Sequence, residues 1–375
     1  MTRLVVSLAV EQLRRRVPGG IGTYTRALLK GMGELPADER PSLTIVASRP
    51  PRGPDPLAGL GYPVASSRLP GPLMTRAWDV ARARVGKGSD VVHSVSLAAP
   101  VPFAGVPLVT TVHDVAWRTM PEAYPPRGRR WHEAALRRAA ARAALIVVPS
   151  EATAEAVLHA DVGIGRDRLV VVSEGADHLE VPDAPAAAAL LGRLGVTGPY
   201  IVSVSTLEPR KNLARLVEAY GLARPRLPEH WPLVVVGPSG WGPLEAGVTD
   251  KASAGVVFTG AVGGGTLAAI YRGARCSAYV PMVEGFGLPV LEAMSQGTPV
   301  VASPVPSSGG ASLEVDPNDV VSIADGLVAA AFDEETRARL VSAGLKRAAE
   351  LRWVDTARAH LAVWERAASE SESRR

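Results

Sequence analysis

The chain has 375 residues, 47% of them hydrophobic and 21% charged, which is ordinary globular composition and, at roughly 150 residues per domain, room for two domains. A single cysteine, Cys276, excludes an internal disulfide and fits a reducing compartment. The net charge of +4 is uneven, with 23 Lys+Arg against 17 Asp+Glu in residues 1–180, so the first half either faces something negative or carries a solvated basic surface.

The opening MTRLVVSLAVEQLRRR has an apolar run that is short, carries Glu11 and ends in arginines, so it reads as a strand and not as a signal peptide. No stretch reaches the roughly 18 apolar residues of a membrane span, and the expected compartment is the cytoplasm. Predicted strands follow in order: RLVVSLAV (3–10), SLTIVAS (42–48), DVVHSV (90–95), PLVTTVH (107–113), ALIVVPS (144–150) and RLVVVS (168–173). The second half adds YIVSVS (200–205), PLVVVGP (232–238), GVVFTG (255–260), CSAYVP (276–281) and PVVASP (299–304). Most are continuously apolar, as parallel strands covered on both faces must be. Helical stretches alternate with them, among them YTRALLKGMGEL, RRWHEAALRRAAARA, NLARLVEAYGLA and VLEAMSQG. The alternation predicts an α/β protein with two doubly wound sheets. The rhythm pauses over EGADHLEVPDAPAAAALLGRLGVTGP (174–199), which places a boundary near residue 185. The amphipathic LRWVDTARAHLAVWERAASESE (351–372) has no strand after it and suits a terminal helix that packs on either domain or bridges both.

Four stretches carry chemistry. In MVEGFGLPVLEAM (282–294), Pro289 suits the first turn of a helix beginning near Leu288, so the glycine turn lies where strand becomes helix. Such a helix start binds anions, while Glu284 and Glu292 on either side repel phosphate and accept hydrogen bonds from sugar hydroxyls. This predicts a grip on sugar hydroxyls at both ends of a diphosphate, with Glu292 placed in the first helical turn, where it also favours the macrodipole. In LEPRKNLARLVEAY, Arg210 and Lys211 arrive at a strand-to-helix turn, where adjacent cations neutralise a diphosphate unless the turn is merely solvated. PGGIGTYTRALL (18–29) brings glycines to a helix but lacks the third glycine of a dinucleotide fingerprint, so it is a phosphate-approaching loop or a plain one. In VTTVHDVAWRTMP, His113 and Asp114 sit just past a strand's carboxyl end, either to polarise or deprotonate a hydroxyl or as a structural pair; His93 is a weaker candidate of the same kind. There is no zinc spacing, no acidic metal pair, no nucleophile elbow and no Walker loop. The aromatics do not interleave with basic residues, so no nucleic-acid partner is expected. Cys276 reads as core.

EGFGLPVLEAM with GTPVVAS resembles the donor-site signature of family 4 glycosyltransferases, and LEPRKNL, VVVGPSGW (234–241), GGIGTYTRALL and VHDVAW resemble other words of that family, in order, over residues 1–360. The resemblance implies the GT-B fold: an acceptor-binding Rossmann-like domain over 1–185, a nucleotide-sugar-binding one over 186–355 facing it across a cleft, and a helix over 356–375 returning to the first. It implies retaining transfer of a hexose, with mannose the first guess, from a nucleotide diphosphate sugar, with no metal and no further cofactor. Glu292 would hold the ribose hydroxyls. Glu284, with Gly285, Phe286, Gly287 and Leu288, would hold the donor sugar, and Arg210 and Lys211 the diphosphate. Gly20 and Gly22 would line the phosphates, and His113 would face sugar and acceptor. The acceptor implied is a glycan, a lipid-linked sugar or a small molecule. The six arginines of PPRGRRWHEAALRRAAARAA (125–144) fit either peripheral contact with an anionic membrane, at its inner face, or a solvated helix. The chain departs from the family pattern at Gly263–Gly265, where an acid is common before a helix, at the loop 303–317, and at Glu174, where asparagine is common. The rival functions are a non-catalytic nucleotide-sugar-binding subunit and a nucleotide-sugar epimerase on the same fold.

Overall fold

A computed structural model describes residues 3–240 and 255–373. Trp241, at the end of VVVGPSGW, lies outside the described residues. The chain forms two compact units, one drawn from Met1–Arg118, Pro126–Glu174 and Trp353–Arg375, the other from Thr119–Pro125 and Gly175–Arg352.

In the first unit the strands are β1 (Val5–Ala9), β2 (Ser42–Ala47), β3 (Val64–Ser66), β4 (Arg84–Val85), β5 (Val91–Ser94), β6 (Val101–Pro102), β7 (Leu108–Thr111), β8 (Leu145–Val148) and β9 (Leu169–Val171). Seven of them make one sheet in the order β3-β2-β1-β5-β7-β8-β9, every pairing parallel, and β4 and β6 form a separate short pair. Every residue of β5, β7 and β8 is buried, so β8 reads as an unbroken apolar run, while β5 and β7 end in the buried polar pairs His93–Ser94 and Thr110–Thr111. The order reverses between β1 and β5, and the carboxyl ends of strands beside such a reversal are where open α/β sheets place ligands.

The helix Trp353–Glu372 belongs to this unit and packs on the helix Gly19–Glu34. The backbones meet at Gly31, where an added Cβ would fall on the carbonyl oxygen of Trp353. Trp353 and Trp364 are fully buried, and rings of this size each withdraw roughly 150–250 Å² from water, an upper estimate of about 4–6 kcal/mol apiece.

A buried chain of hydrogen bonds ties the same helix to the sheet. Trp364 Nε1–H donates to His93 Nδ1 (3.1 Å), so a neutral His93 carries its proton on Nε2, beside Thr111 Oγ1 (2.9 Å). His360 faces the Thr356 carbonyl with Nδ1 (3.0 Å), which leaves Nε2 to accept from the Tyr24 hydroxyl (2.6 Å). Tyr24 in turn meets Thr111 Oγ1 at 3.3 Å. Each proton has one place as long as both imidazoles are neutral. Burial holds them so: His360 is drawn down to about 4 and His93 well below its ordinary range. His93 is therefore a structural member of this network.

The second unit contains β10 (Ile201–Val204), β11 (Leu233–Val236), β12 (Val256–Gly260), β13 (Cys276–Tyr279), β14 (Val300–Ala302) and β15 (Leu313–Glu314), ordered β12-β11-β10-β13-β14-β15 and again all parallel. The reversal here lies between β10 and β13. One face of the sheet is filled by Leu216, Tyr220, Ile323 and Leu327, with Cys276 wholly buried among them and its thiol pushed up to about 12 by that burial. The helix Gly264–Gly273 opens with Gly263, Gly264 and Gly265, and its start is met by Glu180, whose carboxylate accepts from Gly265 N at 3.0 Å. The acid missing at that helix start is thus supplied from the segment after β9.

Candidate functional site

In the second unit the chain leaves β10 through Thr206–Glu208 and makes a single 3-10 turn, Pro209–Lys211, ended by Asn212 in the left-handed region (φ 59°). Asn212 is locked there because its Nδ2 donates to the carbonyls of Val280 (3.1 Å) and Pro317 (2.7 Å). The turn is stitched to the neighbouring connection after β13 by Met282 N donating to Arg210 O (2.9 Å). Arg210 and Lys211 are therefore presented at the carboxyl edge of the sheet, at the β10/β13 reversal, by a rigid piece of backbone.

Glu284 comes to the same point from β13. Its Oε2 accepts from Lys211 Nζ, from the Tyr279 hydroxyl (2.7 Å) and from Arg210 Nη1 (3.3 Å). Lys211 Nζ also donates to the Tyr279 oxygen (2.7 Å), and Arg210 Nε lies 2.7 Å from Glu208 Oε1. The side chains of Lys211, Glu284 and Arg210 are only 10%, 14% and 15% exposed. Burial alone would raise Glu284, but the two cations outweigh it and hold the carboxyl at about 2. Lys211 is drawn below its usual range, because burial and Arg210 together outweigh the one carboxylate it shares. Burial, then Glu284, push the Tyr279 phenol far up, so it stays a hydrogen-bond donor.

Gly285, Phe286 and Gly287 follow, and the helix Leu288–Ser295 begins with Pro289 in its first turn. Its cap, Gly287, sits at φ 103° and brings no side chain to the first-turn N–H groups. An added Cβ there would lie 2.9 Å from Ser307 Oγ, which donates to the Gly287 carbonyl at 2.8 Å, while Ser307 N donates to Phe286 O at 3.0 Å. The divergent loop 303–317 thus buttresses this turn from outside. Phe286 and Leu288 are buried.

Glu292 is the fifth residue of its helix, beyond the first turn in which the sequence placed it, so the macrodipole does not account for it. Its two oxygens are held separately: Oε2 accepts from Tyr271 OH (3.0 Å) and Oε1 faces His178 Nε2 (2.9 Å). The carboxylate is 7% exposed as a residue, and each oxygen keeps lone-pair capacity for a further donor.

The first unit holds the remaining candidates. Gly20 and Gly22 are not in a loop but inside the first turns of the helix Gly19–Glu34 that follows β1; a Cβ on Gly22 would strike the Pro18 ring, whereas one on Gly20 would meet nothing. His113 follows β7. Its expected companion Asp114 instead accepts from Ala116 N at 3.0 Å, and the carboxylate facing His113 Nδ1 is Glu174, at 3.5 Å. The adjacent pair in sequence fails because successive residues leaving a strand point apart. Glu174, which the sequence marked only as a departure from the family pattern, and His178, which it did not single out, both come from EGADH. The available signal was its position, directly after a strand's carboxyl end.

In the basic helix Pro126–Arg142, Arg138 pairs with Asp79 (2.5 Å) and Arg137 with Glu133 (3.0 Å). Among the described residues no helix is long and apolar enough to cross a membrane, and no group of three or more His, Cys, Asp or Glu side chains could hold a metal ion.

Residues 198–333 match the family described as glycosyl transferases group 1, and residues 18–179 match glycosyltransferase family 4. The chain is 32% identical over 258 residues, 65% of its own length and 66% of the relative's, to an O-antigen chain mannosyltransferase B of Escherichia coli. It is 33% identical over 290 residues, 70% of this chain and 67% of the other, to a D-inositol 3-phosphate glycosyltransferase of Xylanimonas cellulosilytica. A serotype-specific mannosyltransferase of Escherichia coli is 28% identical over 287 residues, 72% of this chain but only 35% of the longer relative. Among solved structures, sucrose-phosphate synthase of Thermosynechococcus elongatus superposes with a TM-score of 0.72 at 20% identity, covering 97% of this chain and 99% of that one. The Anabaena protein HepE in complex with UDP-glucose gives 0.71 at 19% identity, covering 96% and 99%. These two show the shared fold: two Rossmann-like domains of the GT-B kind.

Proposed function

The chain belongs to the group 1, family 4 glycosyltransferases, and from that premise we propose that it transfers a hexose, with retention, from a nucleotide diphosphate sugar to a glycan, lipid-linked or small-molecule acceptor. The observation that carries the reading is the cluster at the β10/β13 reversal, where Lys211, Arg210, Tyr279 and Glu284 converge beside a helix start with no side-chain cap. The roles follow from the chemistry of each group. Lys211 keeps one N–H beyond those given to Tyr279 and Glu284, and with Arg210 it stabilises the charge that grows on the leaving diphosphate. Glu284 and the backbone of Gly285, Phe286, Gly287 and Leu288 accept and donate to the sugar hydroxyls. Glu292, held by Tyr271 and His178, accepts from the ribose. Gly20 and Gly22 take their assignment to the phosphates, and His113 its assignment to sugar and acceptor, from the family resemblance.

In the reaction the anomeric carbon–oxygen bond breaks with its electron pair leaving on the diphosphate. The acceptor oxygen bonds to the same face of the sugar, and its proton passes to the departing phosphate. Mannose is the favoured sugar because two of the relatives described above are named mannosyltransferases. The test is release of nucleotide from GDP-mannose, UDP-glucose and dTDP-glucose, with and without cell extract as acceptor, followed by mass spectrometry of the product. Lys211→Ala and Glu292→Ala, confirmed as folded, should each lose most turnover, and EDTA should leave it unchanged. Wild-type turnover in either variant, or loss with EDTA, would overturn the assignment.

A further inference from the structure

His113 is enclosed by acceptors. Its Nε2 is 2.9 Å from the Val95 carbonyl oxygen, which can only accept, so that nitrogen carries a proton. Its Nδ1 is 3.5 Å from Glu174 Oε1. A neutral imidazole would turn a lone pair toward the carboxylate, whereas an imidazolium turns an N–H toward it. Glu174 is 5% exposed at its side chain, and among the described residues no lysine or arginine pairs with it. A buried carboxylate without a cation is costly, so the two groups stabilise each other's charge. The remaining neighbours agree. The Tyr24 and His113 rings meet nearly perpendicular, at 84° and 4.7 Å between centroids, and Tyr24 is held as the neutral phenol by burial. Asp114, next in the chain, adds negative charge; His93 and His360, behind Tyr24 and Thr111, are neutral.

We infer that Glu174 is a positioning residue that keeps His113 protonated, so that His113 serves this enzyme as a fixed cation and double hydrogen-bond donor and never as the base that deprotonates the acceptor. The inference rests on the transferase reading only for its kinetic arm. Burial by itself would lower the His113 pKa; the Glu174 carboxylate and the Val95 carbonyl more than reverse that, and the net direction is upward.

The test follows the seven histidines by NMR in the full chain labelled at histidine, with His113→Asn assigning the signal, in wild type and Glu174→Gln. His113 should titrate above the ordinary histidine value in wild type. Its midpoint should fall by about one pH unit or more in the variant, the size of effect a nearby carboxylate commands. The same displacement should appear in the alkaline limb of nucleotide release from GDP-mannose. Glu174→Asp, which keeps the charge, should restore most of it, and Glu174→Asn, which carries no charge, replaces the glutamine variant if that one misfolds. A wild-type midpoint below the ordinary value, or a midpoint unmoved when the carboxylate is removed, overturns the inference. If GDP-mannose is not turned over, the NMR arm still decides it.

Discussion

Replacing Glu284 by glutamine removes the one carboxylate shared by Lys211 and Arg210 while keeping its size and a carbonyl for Tyr279. The free carboxyl titrates near 4.5 and the folded one at about 2, so the native environment favours the anion by about 3 kcal/mol at neutral pH. Mutational experience with broken buried pairs, roughly 3–5 kcal/mol, gives the same size by a separate route. Because the folded pKa is depressed, this stability is complete above pH 4.5, is reduced to roughly half at pH 3, and is lost as pH falls through 2. Urea unfolding of wild type and Glu284→Gln, followed by circular dichroism, should therefore differ by about 3 kcal/mol at pH 7 and by roughly half that at pH 3. Hydrogen exchange of the peptide spanning residues 276–295 assigns the loss to the second unit. A difference under about 1 kcal/mol at pH 7, or one that does not shrink on acidification, would refute the claim that the two cations hold this carboxylate.

His178→Ala leaves Glu292 with Tyr271 alone, and loss of a hydrogen bond to a charged group predicts roughly 10- to 100-fold weaker binding of nucleotide, read by calorimetry with GDP and UDP. Gly31→Ala drives a methyl into the Trp353 carbonyl and should destabilise by about 1–3 kcal/mol, whereas Gly33→Ala on the same helix meets only the Tyr62 hydroxyl at 3.7 Å and should be neutral or slightly stabilising in the same thermal melt. His360, free at 6.5 and about 4 when folded, gives stability that is full above pH 6.5 and lost as pH falls through 4, so the first unit should weaken over that window and His360→Gln should flatten the dependence in pH-resolved urea titrations.

The unbroken apolar runs made the central strands visible, because a strand covered on both faces has no polar alternation to blur it. The short strands Val64–Ser66 and Leu313–Glu314 and the pair Arg84–Val85 and Val101–Pro102 carry too few residues for any period to emerge, and their pairing partners define them. The glycine turn and Pro289 announced the helix at Leu288 through backbone chemistry alone. What stayed hidden was partnership at long range. His178 meets Glu292 across 114 residues, and His113 meets Glu174 instead of its own neighbour Asp114. Local sequence holds no trace of such pairs, since they are set by which strand ends the sheet order brings side by side. The loop 303–317 likewise looked only divergent, yet its Ser307 holds the turn at Gly287.

The membership of Trp353–Glu372 in the first unit sets an order of events at the ribosome. Residues 175–352 emerge earlier and contain a whole sheet with its covering helices, so they can close around their own interior while translation continues. The earlier-made segment, by contrast, waits with the slot for two indole rings open until the helix that fills it has been synthesised. A nascent chain stalled before residue 353 would carry a finished second half and an unfinished first one, and that exposed slot is what a chaperone would meet.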